Sequence, residues 1–262
     1  MKPKAMPLSL KSPFGAKELF EQVEIFSIKD ASAFIIPANH GRPEKPWVWI
    51  APALADTSLE VFAWYIKNLT QAGISVAGYD IGEVRGSPQS SARFHEFYQA
   101  MIAKAYASRP ILLAKSRGAL MLLAWAFRHP QHVAAFAGIY PVCNLLSWPL
   151  RNRPKPVLED YAMSRDQLLQ VIEKVNPIHQ LKPLADAKVP IFLVHGTDDD
   201  LVPLSENSEL VVENYQSLGG TVQLDRLPGM GHDETVDFLE NQRVLHFLLQ
   251  SKCDLVESSE FG

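Results

Sequence analysis

The 262-residue sequence has little of what marks a disulfide scaffold, a metal centre or a membrane anchor. It holds two cysteines, Cys143 and Cys253, which form no metal-spaced pair and imply no disulfide framework. No apolar run is long enough to span a bilayer, so no membrane partner is expected. The opening MKPKAMPLSLKSPFG carries lysines but no apolar h-region; no signal peptide is expected in it, and cytoplasm is the default location. A cationic excess is missing as well. Lys and Arg total 25 against 29 Asp and Glu, for a net charge of -4, which argues against a nucleic-acid partner. With no close cluster of His, Cys and Asp in the sequence, neither a metal nor a cofactor is expected.

What the chain does have is alternation. After an irregular lead-in to about Lys17, two strand-like runs, VEIFSI (23–28) and SAFIIP (32–37), flank a turn-like KDA and should pair antiparallel. Then come a strand at 48–53, a helix at 58–73, a strand at 74–80, a helix at 91–107 that Ser90 or Ser91 can cap, a strand at 111–115, a helix at 117–129 and a strand at 133–140. Residues 144–181 break the rhythm with a proline-rich stretch and a helical piece, and read as an insertion. Strands at 189–196 and 221–227 and helices at 206–220 and 235–250 complete the series, followed by a polar tail. Such alternation with Val/Ile/Leu-rich strands implies an α/β fold: one domain over residues 1–262, built on a mostly parallel sheet of about eight strands with helices on both faces.

Ligands of such sheets sit beyond the carboxyl ends of the strands. Ser116 directly follows ILLAK, Asp199 lies in HGTDDDLVP just past VPIFLV, and His232 lies in LPGMGHDE just past TVQLD. A serine hydroxyl needs a base, an imidazole can supply one near neutral pH, and a carboxylate can hold that imidazole in one tautomer. The run AKSRG departs from the G-x-S-x-G elbow at Ala114. The elbow needs small residues two before and two after the serine, and Ala114 and Gly118 meet that need. Ser217, with Tyr215 at the earlier position, does not. Asp198 and Asp200 compete with Asp199 for the acid, although spacing favours Asp199.

AKSRGA, HGTDDDLVP, GMGH and DIGEVRGSP together resemble the α/β-hydrolase superfamily from about residue 20 to 250. The resemblance implies an α/β-hydrolase fold with a small cap insertion at about 144–181, Ser116 as nucleophile, His232 as general base and Asp199 as orienting acid. It also implies an oxyanion hole made by two backbone N–H groups, that of Arg117 and one from the loop IAPALAD, for which Ala53 is the choice and Leu54 the alternative; Pro52 has no N–H. Leu54, Arg85, Tyr140 and Trp148 are candidates for contact with substrate, and Arg117 is left open in that respect. Lys115 reads as turned away or paired with a carboxylate such as Glu83. His195 reads as a structural hydrogen-bonder, and RNRPK (151–155) as a solvated loop.

The expected function is a serine hydrolase that cleaves small or polar carboxylic esters, among them acylated sugars, through an acyl-enzyme. Two alternatives stand beside it. HGTDDDLVP also resembles the catalytic domain of prolyl-oligopeptidase-like peptidases, and the variant loops leave room for a non-catalytic, ligand-binding member of the fold.

Overall fold

A computed structural model describes residues 13–54 and 58–251. Cys253, the lead-in before residue 13 and the tail from residue 252 lie outside the described residues. Eight strands form one sheet: β1 (Glu24–Ile28), β2 (Ala31–Ile36), β3 (Trp47–Ala51), β4 (Ser75–Asp80), β5 (Ile111–Lys115), β6 (Ala135–Ile139), β7 (Ile191–Gly196) and β8 (Val222–Leu227). Their order across the sheet is β1-β2-β4-β3-β5-β6-β7-β8. β2 runs antiparallel to both β1 and β4, and every other neighbouring pair is parallel.

The helices are α1 (Ala16–Leu19), α2 (Ala63–Gln71), α3 (Pro88–Ala103), α4 (Gly118–Arg128), α5 (Trp148–Asn152), α6 (Pro154–Tyr161), α7 (Arg165–Val175), α8 (Lys182–Asp186), α9 (Ser208–Ser217), α10 (Val236–Leu239) and α11 (Gln242–Ser251). The central strands are apolar except near their ends, where Ser75, Asp80, Lys115 and His195 stand, and their side chains alternate between faces. Trp47, Trp49, Leu112 and Ala114 join Phe94 and Phe97 of α3 and Trp125 of α4 in one core cluster. Val48, Ile50, Ile111 and Leu113 join Tyr65, Ile66 and Leu69 of α2 and Leu248 of α11 in the other. Both faces are therefore covered, as a parallel sheet requires.

Several boundaries differ from the sequence reading for local reasons. α3 begins three residues early because Ser87, not Ser90 or Ser91, caps it: its Oγ accepts the Ser90 N–H at 3.0 Å, and Pro88 follows at the first helical position, where a missing N–H costs nothing. The helix expected over 235–250 divides into α10 and α11. Asn241 sits at the break, and its Oδ1 accepts the N–H groups of Arg243 and Val244 at 3.0 and 3.1 Å. RNRPK is not a loop, since it spans the end of α5 and the start of α6.

The segment between β6 and β7 carries α5, α6 and α7. Leu150, Val157, Tyr161, Leu168 and Ile172 form a third apolar cluster with Leu120 of α4 and with Val142 and Val202 at the strand ends. This cluster holds the inserted helices over the carboxyl edge of the sheet. Asp160 fastens them further, because its carboxylate accepts the N–H groups of Arg85 and Ser87 at 2.6 and 3.1 Å and the Ser87 hydroxyl at 2.9 Å. On the opposite flank Arg151 pairs with Glu206 at 2.5 Å.

Candidate active site

Ser116 stands on the turn between β5 and α4 with φ 50, a left-handed conformation that costs a non-glycine residue on the order of 1 kcal/mol. Neighbouring backbone holds it there. The Ser116 N–H donates to Ile139 O at 2.9 Å, and Ser116 O accepts the Val142 N–H at 3.0 Å. The turn also needs Gly118. A Cβ there would lie 2.1 Å from Ala51 O and 2.4 Å from Pro52 N, so only a bare α-carbon lets α4 begin against the end of β3. Ala114, by contrast, is fully buried between Ala51 and Gly138 of the adjacent strands, where its methyl has room.

Asp199 and His232 reach the same spot from the ends of β7 and β8. Gly196 permits this, since a Cβ on it would meet Met230 O at 2.1 Å, and the Asp198 N–H donates to that same carbonyl at 3.0 Å. The Ser116 hydroxyl lies 2.9 Å from His232 Nε2, and His232 Nδ1 donates to Asp199 Oδ2 at 2.7 Å. The carboxylate makes Nδ1 the protonated nitrogen and leaves Nε2 free to accept from the serine. Tyr140 packs its ring 4.4 Å from that of His232.

The Asp199 side chain is fully buried. Burial alone would raise its affinity for a proton. The hydrogen bonds from His195, His232 and the Val202 N–H outweigh that and hold the group well below the usual carboxylate range. Asp198 and Asp200, the competing acids, are exposed, and Asp198 accepts from the Thr197 hydroxyl at 2.7 Å.

A cavity of about 220 Å³ opens on this group, lined by Ser116 and His232 with Pro52, Lys115, Arg117, Tyr140, Trp148, Leu201, Val202 and Glu234. A larger one of about 570 Å³, bounded by Phe20, Ile36, Lys67 and Gln71 among others, lies between the segment before β1, the end of β2 and α2, and neither the serine nor the histidine lines it. Two of the four candidate contact residues, Tyr140 and Trp148, thus face the serine's cavity. The other two do not. Leu54 is buried outside the lining, and Arg85 spends its guanidinium on Glu83 at 2.9 Å and on Val84 O at 2.8 Å.

Lys115 does line the cavity, and its partner is Glu234 rather than Glu83. Glu83 instead binds both Arg85 and Arg117, the latter at 2.7 Å. Leu201, Val202 and Glu234 went unselected in the sequence. Their signal was adjacency, since each stands within three residues of the acid or the histidine. Neither the Arg117 nor the Ala53 N–H donates to an acceptor among the described residues; Arg117 lines the cavity, whereas Ala53 is buried and its neighbour Pro52 reaches the lining. Cys143 is a buried free thiol whose pKa burial pushes up. Among the described residues no set of three or more His, Cys, Asp or Glu side chains is arranged to hold a metal ion, and no helix is long and apolar enough to cross a membrane.

The sequence profile of the prolyl oligopeptidase family matches residues 60–252. Three solved structures share the fold. One is a puromycin hydrolase, 18% identical, with TM-score 0.67 over 98% of this chain and 41% of that one. Another is dipeptidyl peptidase 4 from Porphyromonas gingivalis, 16% identical, with TM-score 0.67 over 87% of this chain and 35% of that one. The third comes from a study of two prolyl endopeptidases and is 14% identical, with TM-score 0.66 over 90% of this chain and 38% of that one. The chain thus spans about two fifths of the length of these proteins. Among curated proteins none matches it.

Proposed function

Because the chain belongs to the prolyl oligopeptidase family of serine hydrolases, we propose that it cleaves amide bonds of short peptides or aminoacyl amides through an acyl-enzyme. This reverses the order expected from the sequence, in which esters came first. The relatives named above as peptidases support amides, and no comparison points to esters in particular.

The observation that carries the proposal is the hydrogen-bonded chain Ser116–His232–Asp199 at the mouth of a cavity. Ser116 Oγ attacks the scissile carbonyl while His232 Nε2 takes its proton. The N–H groups of Arg117 and Ala53 hold the oxyanion. His232 then protonates the leaving amine, and a water, deprotonated by the same imidazole, frees the acyl group and restores the serine. Asp199 holds the tautomer and offsets the imidazolium charge. The cavity of about 220 Å³ is smaller than the roughly 300–1,000 Å³ typical of ligand pockets, which favours a small acyl side chain.

Esters form the second reading, favoured by that small cavity and by the easier departure of an alkoxide from the same intermediate. The test is turnover of aminoacyl and dipeptidyl 4-nitroanilides beside p-nitrophenyl acetate and butyrate, by wild type and by Ser116→Ala checked for folding by circular dichroism. Anilide cleavage that falls at least about a thousand-fold in the variant is expected. Ester cleavage alone would move the assignment to an esterase. Equal turnover in both proteins would remove Ser116 as nucleophile. No turnover and no labelling of Ser116 by a fluorophosphonate would point to a binding protein.

A further inference from the structure

Asp199 serves two imidazoles. Its Oδ2 accepts from His232 Nδ1 at 2.7 Å and lies 3.1 Å from Nε2 of His195, while its Oδ1 accepts the Leu201 and Val202 N–H groups at 3.1 and 2.7 Å. The His195 ring is fully buried, and its Nε2 also lies 2.9 Å from Val202 O. A carboxylate and a carbonyl can only accept, so that nitrogen must carry a proton. On the other side Nδ1 lies 2.7 Å from the Ser208 hydroxyl, a donor at the start of α9. A neutral His195 with hydrogen on Nε2 satisfies every contact at once.

We propose that His195 is a positioning residue: by donating to the oxygen that also holds His232, it fixes the carboxylate of Asp199 and limits how strongly that carboxylate stabilises a protonated His232. The inference rests on the reading of His232 as the general base. Its physical content is competition. Each neutral donor on Oδ2 draws off part of the negative charge that an imidazolium at His232 would otherwise meet. The remaining charged or titratable groups around the pair are Lys115 with its partner Glu234, Asp198, Asp233 and Tyr140, and among the described residues none of them hydrogen-bonds to either imidazole. His195 is therefore the side chain through which Asp199 can be tuned without touching the cavity.

The experiment is 1H–15N NMR of the His232 ring in wild type, His195→Gln and His195→Ala at one fixed pH. It reads the ring directly and needs no turnover, so it stands apart from the Ser116→Ala assay that tests the hydrolase reading. With the competing donor removed, the His232 Nδ1–H resonance in His195→Ala should move downfield as its bond to Asp199 Oδ2 strengthens. His195→Gln, whose amide N–H can reach the same oxygen, should return that resonance to its wild-type position. A resonance unmoved in folded His195→Ala overturns the proposal. Should that variant not fold, wild type decides: His195 Nε2 must carry a proton at that pH, and a bare Nε2 overturns the proposal too.

Discussion

Three histidines far from the serine should make the protein acid-labile, and His129 should contribute most. His95 of α3 stacks on His129 at 4.1 Å between ring centroids with only 13° between planes, and His132 lies 6.2 and 6.4 Å from the two. Trp125 and Tyr98 complete the stack, and Tyr98 Oη lies 2.9 Å from His132 Nδ1. Burial, then the neighbouring His95, His132 and Arg128, lower the His129 pKa from its usual 6.5 to about 4. The unfolded chain therefore binds this proton first as pH falls. Stability is lost progressively below about pH 6.5, and the loss levels off near pH 4. Between pH 7.5 and 5 the full shift corresponds to about 2 kcal/mol, reduced to about 1 kcal/mol because the ring is partly exposed and screened. His129→Phe keeps a stacked ring and removes the proton site. Urea unfolding of wild type and variant at both pH values isolates the effect, since the carboxylates titrate alike in each. Wild type should lose about 1 kcal/mol more than the variant, a difference of roughly 0.3 M in midpoint at a slope near 3 kcal/mol/M. Parallel losses would refute the assignment of the proton to His129.

Three further outcomes follow from contacts already described. Gly118→Ala places a methyl 2.1 Å from Ala51 O and forces the elbow away from β3. A loss of at least about 2 kcal/mol in stability and at least tenfold in kcat/KM is expected, measured by thermal melting and initial rates. Ala114→Gly restores the usual elbow letter but removes a buried methyl from β5. It should leave kcat/KM within about twofold and cost roughly 1 kcal/mol, and a gain in rate would show that the methyl strains the turn. Asp160→Ala leaves the Arg85 and Ser87 N–H groups without their acceptor. A loss of about 2 kcal/mol, roughly 4–8 °C in Tm, and faster proteolytic cleavage within 144–181 are expected; unchanged cleavage would mean the apolar cluster alone holds the cap.

The order of the elements was legible because it rests on local chemistry: apolar runs of strand length, periodic helices, and glycines or prolines at their ends. The candidate site was legible for a related reason. A parallel sheet delivers whatever follows each strand to one edge, so Ser116, Asp199 and His232 could be placed near one another without knowing a single distance. Where side chains turn after that edge was not legible. Arg85 and Arg117 each precede a glycine and both pair with Glu83, yet the Arg85 side chain is buried while Arg117 borders the cavity; Asp160 on α6, 75 residues away in sequence, holds the Arg85 backbone. The pairing of Lys115 with Glu234 spans 119 residues and depends on how the His232 loop folds over β7 through Gly196. His95, His129 and His132 look unrelated in sequence and meet only because α3 packs against the end of α4. Ser116, Asp199 and His232 lie where the sheet topology carries them, whereas the charged lining of the cavity and the histidine stack lie where long-range packing carries them. For this protein the reaction class can therefore be argued from motif spacing, while the choice between amide and ester must come from the cavity and the bench.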